Sequence, residues 1–420
     1  MKKLLISTPV LLLLVLLSSF VCSASVKRGD INLDGDVNSI DFALYKQYLL
    51  GSYRINDLTV ADLNGDGSAN SIDYGYLKQY LLGRISTFPA DEISTPDPTP
   101  SQTENAILIP HKSWTCGMPE GIPKPELGKL VFEANMKLDM VYNLGETPYG
   151  KRQVLVVKSG TVEGEKIKGS VLSGGLDFQL DISNGVTEIE QILVIQTNDG
   201  KYMYIRSGGT GLNQQDIRMV PDIEVPKNGT YSWMNNGKYV GRRVVDTAAK
   251  TMKISVYDIS GIDVKNNSNN TITISKPSDI PYQPWDYRKA YGERKGNVFI
   301  TEYVQLGGSQ SVGETKNGNR NIIPITGGNV TGSINAKILP AGADYQNLSN
   351  PMTIDARYLW QTDDGEIIIV RNAGQFGSLV PTFEVRKDSK YSYLNTNLYL
   401  SSDPSMGAGG VTITFYESKK

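Results

Sequence analysis

The chain repeats itself at two length scales, and the shorter repeat constrains its fold most. Asn38-Ser-Ile-Asp41 recurs as Asn70-Ser-Ile-Asp73, and Lys46-Gln-Tyr-Leu-Leu-Gly51 recurs as Lys78-Gln-Tyr-Leu-Leu-Gly83. Both pairs of segments are 32 residues apart. A fixed offset of this kind indicates one small supersecondary unit that is used twice.

Each short repeat contains a 12-residue acidic loop, Asp30–Asp41 in the first copy and Asp62–Asp73 in the second. Oxygen-bearing side chains stand at positions 1, 3, 5 and 12, and glycine stands at position 6, where the loop must turn sharply. Calcium takes about six to eight oxygen ligands, so each loop is predicted to bind one Ca²⁺ ion. The predicted ligands, with position 7 acting through its main-chain carbonyl and position 9 through water, are Asp30, Asn32, Asp34, Asp36, Asn38 and Asp41, then Asp62, Asn64, Asp66, Ser68, Asn70 and Asp73.

Apolar residues at helical spacing follow the loops, as Phe42, Tyr45 and Leu49 do in the first copy. Together, the paired loops and helices of residues 27 to 86 resemble a type I dockerin, the calcium-dependent module that docks enzymes onto cohesin domains of a cellulosome scaffoldin. The resemblance implies a small α-helical fold with paired F-hand (EF-hand-like) loops. It also implies that positions 10 and 11 of each loop contact the cohesin; these are Ser39, Ile40, Ser71 and Ile72.

The first residues are typical of a secretory signal peptide. Lys2 and Lys3 precede an apolar run from Leu11 to Leu17, and Cys22-Ser-Ala24 offers small residues for cleavage. The mature protein is therefore predicted to begin after Ala24, to be secreted and to lack disulfides, with Cys116 as its only thiol. No other run is long enough to span a membrane.

Composition excludes several classes of function. The chain has 42 Lys and Arg against 44 Asp and Glu, without the basic surplus of a nucleic-acid-binding protein. One His and two Cys are too few for a Cys/His zinc site. A Ser-His-Asp triad would have to use His111, which adjoins Pro110 in an irregular stretch.

A longer and more divergent repeat fills most of the remaining chain, with an offset that drifts from 168 to 160 residues. Matching segments include Gly145–Arg152 with Gly313–Arg320, Gly174–Gln179 with Ala341–Gln346, Gln196–Gly200 with Gln361–Gly365, Tyr204–Arg206 with Ile369–Arg371, and Tyr231–Trp233 with Tyr391–Tyr393. Apolar runs flank Asn198-Asp-Gly200, which is typical of a β-hairpin. Each copy is predicted to be an antiparallel barrel or sandwich.

The fold class predicted for the whole chain is therefore multidomain, with a small α-helical calcium module followed by two tandem all-β domains. The Pro-rich segment Thr95–Ser101 is typical of an extended linker. The predicted boundaries are 1–24 for the signal peptide, 26–86 for the dockerin, 87–126 for the linker and an irregular segment, 127–260 for the first β domain, 261–295 for the inter-domain connection and 296–418 for the second β domain.

The second β copy resembles the uncharacterised UPF0311 (DUF3237) family. The residues that carry the resemblance are Ile323–Gly328, Leu339–Tyr345, Ile354–Tyr358, and Thr362–Gly365 with Ile369–Asn372. The first copy keeps a weaker version, with Ser173–Asp177 in place of the Pro-Gly-Gly-Ala-Asp element. The resemblance implies an antiparallel β-barrel-like fold and no established reaction.

Polar residues that recur in both copies are the candidate catalytic or binding residues; they are Asp177, Asp344, Arg152, Arg320, Arg206 and Arg371, with Glu146 and Glu314 beside them. An aspartate next to an aromatic residue suits a raised-pKa acid or a hydrogen-bonding platform for a sugar. Arg206 and Arg371 end apolar strands and suit a carboxylate, as on a uronic acid, inside a barrel. The alternative is structural, with Asp and Arg pairing across each barrel.

The resemblance to a type I dockerin implies a secreted cellulosomal subunit, bound to a scaffoldin cohesin and taking part in plant cell-wall polysaccharide degradation. If the β domains are enzymatic, a hydrolase of O-glycosyl bonds or a lyase is expected. A glycosidase needs two carboxylates facing each other across a sugar, and the sequence does not identify such a pair. The alternative is a non-catalytic carbohydrate-binding or structural accessory protein.

Overall fold

The computed structural model describes residues 27–55, 57–65, 67–92, 106–111, 117–182, 185–212, 216–263 and 270–419. The predicted signal peptide, Asp66 and Cys116 lie outside these residues. The chain divides into two compact units, a dockerin unit within residues 1–99 and a β unit within residues 100–420. Over the described ranges, no helix has the length and hydropathy to cross a membrane.

The dockerin unit contains helices α1 (Ser39–Leu49), α2 (Ser71–Leu81) and α3 (Pro89–Glu92), with a 3-10 turn at Leu58–Val60. Identical caps begin α1 and α2. The Asn38 and Asn70 side chains accept hydrogen bonds from the main-chain N–H groups of Ile40 and Ile72, while the aspartate three residues further on accepts from the Asn N–H. This reciprocal capping box satisfies N–H groups that a helix start leaves unpaired, so the repeated sequence folds twice in the same way.

A small apolar core joins the two helices of the dockerin unit. Tyr45 and Leu77 are fully buried, and the rings of Phe42 and Tyr74 stack with their centroids 4.2 Å apart. Phe88 packs into the same core, and the Ala90 N–H donates to the Leu63 carbonyl over 3.0 Å. The linker was expected from residue 87, but the chain stays packed on the dockerin as far as α3.

The described residues of the β unit form 22 strands. The first eleven are β1 (Ile107–Ile109), β2 (Lys129–Thr147), β3 (Gly150–Glu163), β4 (Lys168–Val171), β5 (Leu176–Asp181), β6 (Thr187–Thr197), β7 (Tyr202–Gly211), β8 (Ile217–Glu224), β9 (Tyr239–Asp246), β10 (Thr251–Asp258) and β11 (Thr271–Thr273). The others are β12 (Arg294–Leu306), β13 (Gln310–Thr315), β14 (Gly318–Gly332), β15 (Ala336–Ile338), β16 (Ala343–Asn347), β17 (Thr353–Thr362), β18 (Ile367–Gln375), β19 (Val380–Glu384), β20 (Tyr399–Ser401), β21 (Ser405–Gly407) and β22 (Gly410–Lys419).

The first β domain is a closed antiparallel barrel. Its strands pair around a ring in the order β2, β3, β5, β6, β7, β8, β9, β10 and back to β2, and β4 bridges β3 and β6. The predicted hairpin forms from β6 and β7, which pair along their length and flank the Asp-Gly turn. Closure leaves no exposed sheet edge around the ring.

The second β domain follows the same order but is not closed. Strand β20 has only three residues, and in the described part of this domain no strand pairing joins it to β19. The main-chain N–H of Ser401 donates to the Leu379 carbonyl over 3.0 Å at this place. The corresponding strands of the first barrel, β8 and β9, pair at three positions, from Ile217 with Arg243 to Met219 with Gly241.

Side chains alternate between the interior of each barrel and its outer face. In the first barrel Leu193, Ile205 and Ile254 belong to the interior core, and in the second Trp360, Val370 and Phe415 do. By the same alternation, the two aspartates singled out in the sequence point inward, whereas their aromatic neighbours Phe178 and Tyr345 join apolar clusters on the outer faces.

The outer faces pack the two barrels against each other with two-fold pseudo-symmetry. The main-chain N–H of Lys387 donates to the Glu146 carbonyl, and that of Lys227 donates to the Glu314 carbonyl, both over 2.7 Å. At the centre, the Gly342 N–H donates to the Gly174 carbonyl over 2.8 Å. Gly342 has a φ of +80° and stands against the main-chain carbonyl of Arg357, where a Cβ would clash.

The segments on either side of the first barrel are more ordered than expected. Strand β1, from the predicted linker and irregular segment, pairs in parallel with β11 from the predicted inter-domain connection. Further along this connection, Trp285 reaches the contact between the barrels. The described residues of these two segments that follow residue 100 are therefore part of the β unit.

Candidate functional site

The two acidic loops of the dockerin unit wrap around their own aspartates. The Asp41 carboxylate accepts from the N–H groups of Ile31 and Asn38, each over 2.8 Å. The Asp73 carboxylate accepts from Leu63 and Asn70, each over 2.9 Å. The loops are thus built in the same way around a central carboxylate.

The residues present fit a calcium ion. Asp41 and Asp73 are fully buried, and among the described residues no Lys or Arg forms an ion pair with either of them. Burying an unpaired carboxylate is costly, and a divalent cation offsets that cost. Within the described ranges, no three side chains of the His, Cys, Asp and Glu types are grouped so that they could hold a metal ion. Asp66 lies outside the described residues.

The predicted cohesin contacts lie at the beginnings of α1 and α2. Ile40 and Ile72 are 55% and 56% exposed, although both are large apolar residues that usually lose solvent contact on folding. Each follows a serine in the first turn of its helix. The dockerin unit thus presents two near-identical small patches to solvent.

Asp177 is neutralised inside the first barrel. Its carboxylate accepts from Arg243 Nη2 over 2.7 Å and Nε over 2.9 Å, and from Gln191 Nε2 over 2.6 Å. Asp177 and Arg243 are 0% and 2% exposed. This bidentate pair occupies the interior, as the structural alternative proposed, but the arginine is not one that the sequence analysis singled out.

Asp344 has no such partner inside the second barrel. Its Oδ2 accepts from Gln346 over 2.7 Å, whereas its buried Oδ1 has no hydrogen-bond partner. Burial raises the pKa of Asp344 to about 7, against the effect of the Gln346 hydrogen bond and with a smaller contribution from the charge of Asp355. The side chain therefore exists in both protonation states near neutral pH.

A second carboxyl group lies in the same interior. Glu302 is fully buried and accepts from the Tyr358 hydroxyl over 2.6 Å and from Trp360 Nε1 over 3.2 Å. Burial raises the pKa of Glu302 to about 8, more than these two hydrogen bonds lower it. Sequence reasoning missed Glu302, since the corresponding position of the first copy carries no carboxyl group.

The difference between the interiors arises where the second barrel is incomplete. Arg243 lies on β9, and the residue 160 positions later is Asp403. Strand β20 ends before that residue, so Asp403 is exposed and accepts a hydrogen bond from the Gly377 N–H over 2.7 Å. In the second barrel the matching strand is shorter, and the position of the arginine that neutralises Asp177 carries an aspartate instead.

Arg152 and Arg320 lie on the outer faces and join the two barrels. Arg152 forms an ion pair with Glu384 of the second domain, with Nε 2.8 Å from Oε1. Arg320 forms the corresponding pair with Glu224 of the first domain, with Nη2 2.8 Å from Oε1. Thr147 and Thr315 donate to the same two glutamates over 2.6 Å. These exchanged pairs repeat the two-fold arrangement of the interface.

Arg206 and Arg371 also lie between the barrels rather than inside one. Arg206 pairs with Glu190 and Arg371 pairs with Asp355, each with Nη2 2.7 Å from a carboxylate oxygen. Both arginines donate to the Trp285 carbonyl, over 2.7 and 3.0 Å. The expectation that they point into the barrels is therefore not met, because their strands turn Ile205 and Val370 inward instead.

Arg357, from the Asp-Ala-Arg element of the second copy, joins this cluster. It donates to Asp355 over 2.8 Å and to Glu190 over 3.2 Å. Burial alone would raise the pKa of Glu190, but Arg357, Arg206 and Arg371 lower it to about 2. Three guanidinium groups thus surround two carboxylates.

The sequence contained a signal for two of these partner residues, the interface glutamates Glu224 and Glu384. Glu224-Val-Pro-Lys227 and Glu384-Val-Arg-Lys387 recur at the offset of 160 residues, and a search of the repeat for acidic residues would have found both interface glutamates. Arg243 and Glu302 each occur in only one copy, so the repeat carried no signal for them.

Two family models match the chain. The dockerin type I domain matches residues 28–82, and the protein of unknown function DUF3237 matches residues 127–260 and 296–378. The DUF3237 match covers more than half of the chain, so the chain belongs to that family, and it carries a type I dockerin. The dockerin and the barrel-like domains predicted from the sequence are confirmed.

Relatives support both parts. A UPF0311 protein of Bradyrhizobium diazoefficiens is 40% identical over 108 residues, covering 23% of this chain and 71% of the relative. A UPF0311 protein of Clostridium acetobutylicum is 34% identical over 104 residues, covering 24% and 61%. A protein of Acetivibrio thermocellus with the provisional name endoglucanase X is 55% identical over 38 residues, covering 9% of this chain and 17% of the relative.

Solved structures similar to this chain include a protein of unknown function from Clostridium acetobutylicum, 26% identical with a TM-score of 0.29, which covers 31% of this chain and 98% of that one. A β-barrel-like protein from Acinetobacter baumannii is 24% identical with a TM-score of 0.27, covering 31% and 94%.

Proposed function

We propose that this protein is a secreted cellulosomal subunit that binds a scaffoldin cohesin through its calcium-loaded dockerin. Type I dockerins belong to extracellular cellulosome components and bind calcium, and the buried Asp41 and Asp73 of this chain suit that ion. One calcium ion in each loop would hold α1 and α2 in place, so that Ile40 and Ile72 face the cohesin.

Calcium removal tests the docking proposal. Because the dockerin core is small, we expect excess EDTA to unfold α1 and α2 and to abolish cohesin binding, with recovery when calcium is restored. Circular dichroism and surface plasmon resonance on an immobilised cohesin measure the two effects. Cohesin binding that survives chelation would contradict the proposal.

The two similar patches also predict binding in either of two orientations. Replacing Ser39-Ile40 alone with bulky charged residues leaves the Ser71-Ile72 face intact, so cohesin binding is expected to persist. Replacing both pairs is expected to abolish it. Complete loss from the single replacement would exclude dual-mode binding.

For the cargo, we propose that the second barrel is a carbohydrate-active domain that hydrolyses or lyses a plant cell-wall polysaccharide. The observation that carries this is Asp344, which keeps an unpartnered buried oxygen and a pKa of about 7 where Asp177 is bound by an arginine. A carboxyl group with such a pKa can donate and accept a proton at neutral pH. Glu302 supplies a second carboxyl group in the same interior.

Product release from a panel of plant cell-wall glycans tests the cargo proposal, with reducing ends reporting hydrolysis and ultraviolet absorbance reporting unsaturated lyase products. Loss of a general acid or base lowers turnover by about 10²- to 10⁴-fold, and this is the effect expected for Asp344→Asn. Exposed Asp403→Asn is the matched control and should retain activity. Wild-type protein that releases no product from any glycan, or an active Asp344→Asn variant, would contradict the proposal.

The second candidate function is glycan binding without turnover. The observation that favours it is that Glu302 is already held by Tyr358 and Trp360, which leaves Asp344 as the single carboxyl group of that interior with an unpartnered oxygen among the described residues. Retention of the full chain on an insoluble glycan, without product release, would support this function.

A further inference from the structure

A cavity of about 480 Å³ lies between the two barrels. We call it the interdomain cavity. Its lining comes from the first barrel, from the second barrel and from residues 283–288 of the connection. The rim includes exposed Asp286, Thr396 and Asn397, whereas Arg152, Glu190 and Arg357 are buried. Its volume is within the range of small-molecule sites.

Two guanidinium groups that line this cavity have unmade hydrogen bonds. Arg152 is 2% exposed. Its Nε donates to Glu384 and its Nη2 donates to Gln283, but its buried Nη1 has no hydrogen-bond partner. The Nη1 of Arg288 donates to Glu293 and its Nη2 donates to the Tyr399 carbonyl, but its buried Nε has no hydrogen-bond partner. A buried donor without an acceptor is destabilising, so a ligand oxygen that contacts either of these atoms would supply the missing hydrogen bond.

The charge around the cavity favours an anion. Four arginines line the cavity, Arg152, Arg288, Arg357 and Arg371, against three acids, Glu190, Glu384 and Asp286, and two of these acids, Glu190 and Glu384, are each paired with an arginine. Burial and the neighbouring Arg357 charge lower the pKa of Arg371 despite the carboxylates beside it. The remaining acid of the lining, Asp286, is exposed on the rim.

Aromatic rings complete the lining. Tyr149, Phe178, Tyr287 and Phe383 all contribute to the cavity wall. Flat apolar surfaces next to a few fixed donors are the arrangement that binds a ring with one apolar face and several oxygens. A compact anion such as phosphate would use the donors and leave the rings without contact.

We propose that the interdomain cavity binds a uronic-acid residue of an acidic glycan, with its carboxylate accepting from Arg152 and its ring lying against the aromatic wall. Arg288 donates to a further oxygen of the same sugar. Neither Asp344 nor Glu302 lines this site, so the proposal does not depend on the activity proposed for them.

Isothermal titration calorimetry of the full chain with D-galacturonic acid tests the proposal, and D-galactose is the matched neutral sugar. A charge-assisted hydrogen bond contributes about 1.5–3 kcal/mol, so Arg152→Gln is expected to weaken galacturonic acid binding by about tenfold or more. Arg288→Met, at a partly exposed residue, is expected to weaken it as well while leaving the Arg152–Glu384 pair in place.

Arg320→Gln is the control, because Arg320 forms the equivalent interface pair with Glu224 but does not line the cavity. Binding by this variant should equal that of the wild type. Failure of the wild type to bind galacturonic acid, equal affinity for galactose, or an equal loss in Arg320→Gln would overturn the proposal. None of these results depends on glycan turnover or on cohesin binding, so they distinguish this site from the function proposed above.

Discussion

The interiors of the two barrels show how the same residue acquires opposite surroundings in two copies of one fold. Asp177 and Asp344 occupy matching strands, β5 and β16, and both side chains point inward. Arg243 neutralises the first, whereas the second keeps an unpartnered oxygen. The difference comes from a strand edge, since the second barrel ends β20 before the position of the arginine. Recurrence in a repeat therefore identifies a position without identifying its chemical role.

The largest expected effect concerns stability. Asp177→Ala leaves Arg243 buried and unpaired, and breaking such a pair costs about 3–5 kcal/mol. Asp344→Ala removes a carboxyl group that has no cation, so its cost is expected to stay below about 1 kcal/mol. Urea unfolding followed by tryptophan fluorescence measures both, because residues 1–99, which include the dockerin, contain no tryptophan. Equal losses would remove the distinction between the interiors.

The next effect is a pH dependence that belongs to the second barrel. Glu302, with a pKa of about 8, and Asp344, with a pKa of about 7, stay protonated in the folded state after they have ionised in the unfolded chain. The folded state then binds more protons, so stability falls as the pH rises from about 5 to 8.

Glu302→Gln removes one of these titrating groups and keeps an amide oxygen that can accept from either Tyr358 or Trp360. We expect the decline between pH 5 and pH 8 to become shallower by on the order of 3 kcal/mol, at about 1.4 kcal/mol for each pKa unit. Urea midpoints at several pH values provide the measurement. A variant with the slope of the wild type would show that Glu302 ionises normally in the folded protein.

The smallest expected effect concerns the interface between the barrels, where the two domains contribute equivalent ion pairs. Arg152→Met and Arg320→Met each remove one exchanged ion pair, and we expect each to destabilise the β unit by about 2 kcal/mol. Thermal unfolding of the two variants under the same conditions gives the comparison. A large difference between them would show that the asymmetry of the interiors extends to the interface.

Local patterns made much of this architecture predictable. The loops, the capped helices and the Asp-Gly hairpin depend on residues close together in the chain, as Asn38 and Asp41 do. The inward aspartates recur in both copies and were found for that reason. The surroundings of these aspartates could not be predicted in the same way, because Arg243, the partner of Asp177, is 66 residues away from it. The glutamates at the interface likewise belong to the opposite domain from the arginines that they bind. Such contacts follow from barrel closure and domain packing, which single-sequence patterns do not encode.

The exchanged arginine–glutamate pairs have a consequence for the ratio in which the two barrels are delivered to a docking position. Each barrel contributes one half of both pairs, so neither barrel has a complete set of contacts alone. Since one polypeptide carries both barrels and a single dockerin, every docking position that takes this chain receives them in a fixed one-to-one stoichiometry.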